Sequence, residues 1–147
     1  MKNLEVFTDG GCRPNPGKGA CAFVVIEDGH KQIHQGVMKQ DDTTNNIMEL
    51  SGVINALKWV KEHHISCRIY LNTDSQYVQL GITKWLLNWK RNNWRNAQGK
   101  PVANKELWQE LATLTNQVEV HFQWVKGHSN NRWNNLADKL CTEAMGE

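Results

Sequence analysis

The chain's residue pattern changes near residue 43, and that change limits the folds open to it. Before it come three short strand-like runs, residues 4–8, 20–26 and about 32–38, separated by the turn-rich Gly10-Gly11-Cys12-Arg13-Pro14-Asn15-Pro16-Gly17 and by Asp28-Gly29. Short links between consecutive strands predict an antiparallel meander. After it, Ile47, Leu50, Ile54, Leu57 and Val60 recur every three or four residues behind Thr43-Thr44-Asn45-Asn46, whose side chains suit an N-cap. That periodicity predicts a helix ending near His63-His64. Further on, strand-like and helical stretches alternate: a strand at 68–71, a short helix from Gln76, a helix at about 105–114, a strand at 118–124 and a last helix from about Asn131. Alternation of this kind makes the later strands parallel. The expected fold is α/β, a five-stranded mixed sheet, antiparallel through strands one to three and parallel later, with helices on both faces. No linker interrupts the 147 residues, so one domain over 1–147 is expected.

Composition excludes several classes. With 39% hydrophobic and 22% charged residues and only three prolines, the chain is neither a disordered tail nor a collagen-like repeat. No apolar run approaches the ~20 residues that span a bilayer. The start, Met1-Lys2-Asn3-Leu4-Glu5, lacks a signal-peptide core, so a self-contained cytoplasmic protein without membrane attachment is expected. Cys12, Cys21, Cys67 and Cys141 show neither C-x-x-C spacing nor a histidine at zinc-finger distance, and read as reduced thiols. The net charge of +2 conceals a division. Between Asp74 and Glu106 no acidic residue occurs, while Lys84, Lys90, Arg91, Arg95, Lys100 and Lys105 give that stretch +6. Elsewhere eleven basic residues face fifteen acidic ones, a balance of −4. A basic segment on an acidic body points to a polyanionic partner.

Two strand-like runs end alike, Val6-Phe7-Thr8-Asp9-Gly10 and Tyr70-Leu71-Asn72-Thr73-Asp74-Ser75, each with an Asp where the apolar residues give out. Ligands of open α/β sheets bind outside the carboxyl ends of strands. Neighbouring carboxylates there repel, and a divalent cation lets both stay ionised. Each carboxylate also has an ordinary reading. Asp9 or Asp74 could simply start a turn, Glu49 could close a capping box with Asn46, and Asp138 beside Lys139 could be a solvated helix residue. Taken singly, none of the four proves a site.

Taken in order with their surroundings they do. Phe7-Thr8-Asp9-Gly10, Thr44-Asn45-Asn46-Ile47-Met48-Glu49-Leu50, Asn72-Thr73-Asp74-Ser75-Gln76-Tyr77-Val78, and Trp124-Val125-Lys126-Gly127-His128 followed by Asp138 resemble the type 1 ribonucleases H, the bacterial ribonuclease HI branch in particular. The resemblance runs from about Leu4 to Met145. It implies the ribonuclease H-like fold and an endonuclease that hydrolyses the RNA strand of RNA–DNA hybrids by a two-metal-ion mechanism. It also implies Asp9, Glu49, Asp74 and Asp138 as catalytic ligands of two Mg²⁺ ions, with Mn²⁺ as a possible substitute. An all-oxygen ligand set suits these hard cations. On this reading Asp9 bridges the ions, Glu49 and Asp74 hold the one that activates water, and Asp138 holds the one at the leaving 3′ oxygen. The products carry 5′-phosphate and 3′-hydroxyl ends.

By the same resemblance His128 assists proton transfer or product departure, a role that suits a group titrating near neutrality. His63 and His64 are accounted for by the helix end they close. The basic segment resembles the family's basic protrusion, with Lys84, Lys90, Arg91 and Arg95 towards the duplex and Trp85 and Asn88 as candidates against the DNA strand. Ile82, Trp85 and Trp89 also recur at core spacing, so contact and core stay undivided between the two tryptophans. Asn15, Asn45 and Gln76 match positions that touch the minor groove, where an amide can both donate to and accept from the 2′-hydroxyl. Little sequence specificity follows, because sugar and phosphate contacts do not read bases. Gly11, Ile47, Asn135 and Leu136 depart from the residues frequent at their places.

Two other classes compete. A binding module for hybrid or duplex nucleic acid would cut nothing, but a binder of polyanions gains nothing from a negative cluster beside the phosphates. A resolvase or transposase core of the same fold would cut DNA-only substrates, and the Lys126-Gly127-His128 match and basic segment weigh against it. The nuclease domain of a reverse transcriptase is a further possibility, against which Met1 and the self-contained length favour a free-standing monomeric enzyme.

Overall fold

The computed structural model describes residues 2–125 and 131–146. Three strands open the chain: β1 (Asn3–Cys12), β2 (Gly17–Glu27) and β3 (Lys31–Thr43). They pair antiparallel, β1 with β2 and β2 with β3. Helix α1 (Asn45–His63) follows, capped by Thr44, whose side chain accepts from the Ile47 N–H. Next come β4 (Arg68–Thr73), α2 (Gln76–Leu80), a π-helical turn (Gly81–Trp85) and α3 (Leu86–Arg91), then α4 (Lys105–Gln117), β5 (Glu119–Trp124) and α5 (Arg132–Ala144). The sheet order is β3-β2-β1-β4-β5, with β4 parallel to both β1 and β5.

Both faces of the sheet are covered, and β2 records it. From Ala20 to Ile26 every residue is buried, a continuous apolar run and not an alternation. Phe23 and Val25 join the main core with Leu4, Val6, Ile69, Leu71 and the inner stripes of α1 and α4. Phe7, Val24 and Ile26 pack instead on Ala137, Trp133, Leu136 and Leu140 of α5. Leu136, one of the departures noted above, is therefore a packing residue of that second core.

The elements run longer than the sequence pattern indicated. β1 continues through Gly10 and Gly11 to Cys12, and β3 continues to Thr43, so only the stretch 13–16 turns. These strand ends carry no alternating apolar pattern, yet their backbones stay paired, Gly11 with Ala20 and Gly17 with Thr43, and Cys12 and Thr43 are buried. Asp9 consequently lies inside β1, opposite Ala22, and not at the strand's end. All four cysteines are free and buried.

Candidate active site

The β1–β4 ladder stops at Phe7 and Asn72, and the two chains part there. Asp9 and Asp74 each lie two residues past that last pair, which is how two strands 65 positions apart present carboxylates to one region. The seam is locked by Asn72, 4% exposed, whose side-chain amide donates to the Val6 and Tyr70 carbonyls at 3.2 and 3.3 Å. On the other side Val125 N–H donates to the Thr73 carbonyl at 3.0 Å and ties the end of β5 to the same corner.

Glu49 reaches this place through a close approach of backbones. A Cβ built on Gly10 would sit 2.4 Å from the Met48 carbonyl carbon and oxygen and 2.6 Å from the Glu49 nitrogen. Only glycine lets α1 lie this close to β1. Since Thr44 caps α1, the capping-box alternative for Glu49 falls away and its carboxylate is left to the site. Asp138 arrives from the opposite face on α5, which Asn131 caps by accepting from the N–H groups of Trp133 and Asn134.

The four carboxylates interact in an open string. Asp9 is pushed from its ordinary 3.8 up to about 8, first by burial, then by the charge of Asp74 and by hydrogen bonding to and the charge of Asp138, against an opposing hydrogen bond from the Gly10 N–H. Glu49 is also raised, by burial first and by the Asp74 charge, while hydrogen bonding with Ser75 favours its anion. Asp9 thus meets both Asp74 and Asp138, and Asp74 meets Glu49. Among the described residues no three His, Cys, Asp or Glu groups close on a single point, so the donors form a string and not a cage. The set fits divalent metal: its donors are oxygens, and ionising all of them together is costly without a cation between them. His128 lies outside the described residues.

The first half of the basic segment forms a continuous helical stretch from Gln76 to Arg91, seated by Gly81 against the Trp108 indole. Trp108 is fully buried and donates through Nε1 to the Tyr77 hydroxyl at 3.0 Å, which also accepts from the Asn104 amide. The tryptophans divide. Trp89 and Trp94 pack against the main core, whereas Trp85 lies outside it, touching Tyr77 edge-on and Trp89 at a tilt. A groove of about 570 Å³ runs here, lined by Trp85, Asn88, Trp89, Arg95 and their neighbours. Lys84, Asn88, Lys90, Arg91 and Arg95 are exposed, and Arg95 donates to the Gly99 carbonyl at 2.9 Å.

Near the carboxylates, Asn15 and Asn45 are joined directly, the Asn15 Oδ1 accepting from the Asn45 N–H at 3.2 Å, and Gln76 is exposed just past Asp74. One residue that matters here had no role assigned from sequence. Asn72 stood inside the Asp74 motif, but its partner Val6 is 66 positions away and only folding reveals it.

A mixed sheet that gathers acidic oxygens where its ladder opens, beside a basic helical protrusion, defines a metal-dependent phosphodiester hydrolase. The chain belongs to the RNase H family, whose pattern matches residues 1–146. It is 50% identical over 142 residues to the ribonuclease H of Actinobacillus pleuropneumoniae, covering 96% of this chain and 89% of that one. It is 46% identical over 147 residues to that of Hydrogenovibrio crunogenus, covering 100% and 98%. Among solved structures it is similar to LC9-RNase H1, a type 1 RNase H with the type 2 active-site motif, with TM-score 0.86 and 28% identity over 99% of this chain and 73% of the other. LC11-RNase H1, solved in complex with an RNA/DNA hybrid, shares the fold at TM-score 0.76 and 21% identity over 97% and 96%.

Proposed function

We propose that this chain, a ribonuclease H over residues 1–147, cuts the RNA strand of RNA–DNA hybrids endonucleolytically, with little sequence specificity, leaving 5′-phosphate and 3′-hydroxyl ends. The observation that carries the site assignment is that Asp9 interacts with both Asp74 and Asp138 while Glu49 interacts with Asp74. Asp9, Glu49, Asp74 and Asp138 would hold the two cations between them, with Asp9 the carboxylate that interacts with ligands from both flanking elements. Mg²⁺ is the resident ion, with Mn²⁺ as a substitute. When bound, such ions would neutralise phosphate charge and lower the pKa of water, so that hydroxide is available as the nucleophile at neutral pH.

The chain's own residues do the rest. Asn72 and Gly10 hold three carboxylate-bearing backbones in fixed register. Asn15, Asn45 and Gln76 face the minor groove of the hybrid, and the Asn15–Asn45 bond presents two of them as a unit. Trp85, free of the core, stacks against the DNA sugar beside Asn88, while Lys84, Lys90, Arg91 and Arg95 meet phosphates. His128 moves a proton or speeds product departure. Among the described residues no helix is long and apolar enough to cross a membrane. We place the enzyme in the cytoplasm as a monomer.

The test is cleavage of labelled hybrid, duplex RNA and duplex DNA with Mg²⁺, Mn²⁺ or chelator, by wild type, Asp9→Asn and Asp74→Asn protein. Hybrid-only, metal-dependent cutting lost in both variants is expected. Cutting of DNA, or full activity in chelator, refutes the reading.

A further inference from the structure

The pairing of β3 with β2 is uneven near the end of β3. Gly19 lies opposite Gln40 and Gly17 opposite Thr43, so two steps along β2 span three along β3. The extra residue makes a β-bulge in which Asp41 and Asp42 stand opposite Lys18, with Asp42 in a left-handed conformation at φ 52°. Bulges re-aim side chains and recur beside active sites. Here both carboxylates are exposed, although neighbours along a regular strand point to opposite faces. The bulge is held in place by Thr43, which is 1% exposed. Its carbonyl accepts from the Cys12 thiol at 3.3 Å, and a Cβ on Gly19 would lie 2.5 Å from its methyl. The facing turn, closed by a 2.8 Å bond from the Arg13 N–H to the Lys18 carbonyl, carries two exposed cations.

We propose that Asp41 and Asp42 are substrate-positioning residues: their charges repel the phosphate backbone of the hybrid from the end of β3, while Arg13 and Lys18 draw it to the facing turn. The inference rests on the hybrid-binding reading above, in which Asn15 and Asn45, joined at 3.2 Å, meet the minor groove. Asp42 precedes Asn45 by three residues, so their backbones are at most about 11 Å apart. The phosphates on either side of a sugar held by Asn45 therefore come within roughly 10 Å of the bulge. At about 10 Å in water, each charge–phosphate pair changes affinity about twofold before screening. Two carboxylates against two phosphates give about 16-fold. With screening lengths of about 30 Å at 0.01 M salt and about 8 Å at 0.15 M, about 8-fold and about 2-fold remain.

The experiment measures KM and kcat for hybrid cleavage in Mg²⁺ at ionic strengths of about 0.01 and about 0.15 M. The variants are Asp41→Asn with Asp42→Asn, Asp41→Asn with Asp42→Gly, and Asp28→Asn alone. Asparagine and glycine both tolerate the left-handed backbone at position 42. Asp28 is the control: it is exposed at φ 56°, but lies beyond the opposite end of β3, about 40 Å along the strand. Both double variants should lower KM about 8-fold at the lower ionic strength and about 2-fold at the higher, the change falling in KM and not in kcat. Asp28→Asn should match wild type at both. An equal effect per charge in Asp28→Asn would make net charge the cause and overturn the proposal. So would an unchanged KM at low salt, a gain undiminished at the higher salt, or a gain in only one double variant. A wild type that cleaves no hybrid would overturn the underlying reading and this proposal with it.

Discussion

Replacing Asp9 by Asn should abolish cutting and at the same time make the protein more stable. Burial and the neighbouring charges of Asp74 and Asp138 raise the Asp9 carboxyl from 3.8 to about 8. Its folded value lies above its unfolded one, so as pH rises the unfolded chain loses this proton first. Stability is therefore unaffected below about pH 3.8, falls as pH climbs towards 8, and is lower by a constant amount above that. At about 1.36 kcal/mol per pH unit, the loss accumulated by pH 7 is about 4 kcal/mol. Asparagine keeps the shape and an acceptor for the Gly10 N–H but never carries the charge, so it should recover about 2–4 kcal/mol. Urea unfolding in chelator, followed through the chain's seven tryptophans, measures this at pH 7 and pH 4. The gain should be large at pH 7 and close to zero at pH 4. Mg²⁺, the ion proposed for the site, should stabilise wild type and leave the variant unmoved. A variant no more stable than wild type at pH 7, or equally favoured at both pH values, would refute the electrostatic account.

Other consequences follow from particular contacts. Gly81→Ala should destabilise by about 1–3 kcal/mol despite alanine's better helix propensity. The added Cβ would lie 1.9 Å from the Trp108 Cη2, and a rise in the urea midpoint would contradict that reading. Native protein at pH 8 should react negligibly with Ellman's reagent, since burial pushes the Cys21 thiol up to about 11 and the Cys141 thiol up to about 12, and all four cysteines are buried. Rapid release of chromophore before unfolding would count against it. Changing Lys90, Arg91 and Arg95 together to Ala should weaken hybrid binding and flatten the plot of log affinity against log salt by up to about three units. An unchanged slope in a binding titration would reduce the segment to a solvated face.

Much of this was legible before folding, for a local reason. The meander, the capped helix and the strand–helix alternation are written in periodicities of a few residues, and each carboxylate sits in a short sequence motif. The errors were also local. Gly10–Cys12 read as part of a turn, and the third strand was ended near Met38, because neither stretch carries an alternating apolar pattern, while strand pairing there depends on backbone hydrogen bonds that any residue can make. Trp85 and Trp89 share one helical spacing, and only the fold shows that Trp89 packs on the buried Trp108, which also lies against Gly81.

The sequence by itself determined the order of elements and the charge division between a basic segment and an acidic body, and it singled out the four carboxylates proposed as the metal site. Only the tertiary structure decided how those carboxylates meet. Alternation along β1 sends Val6 to the α1 face and Phe7 to the α5 face, and Asp9 follows Phe7, which is why it meets Asp138. Such meetings have no sequence signature, because they depend on where two separately formed elements come to rest and not on the pattern that forms either one.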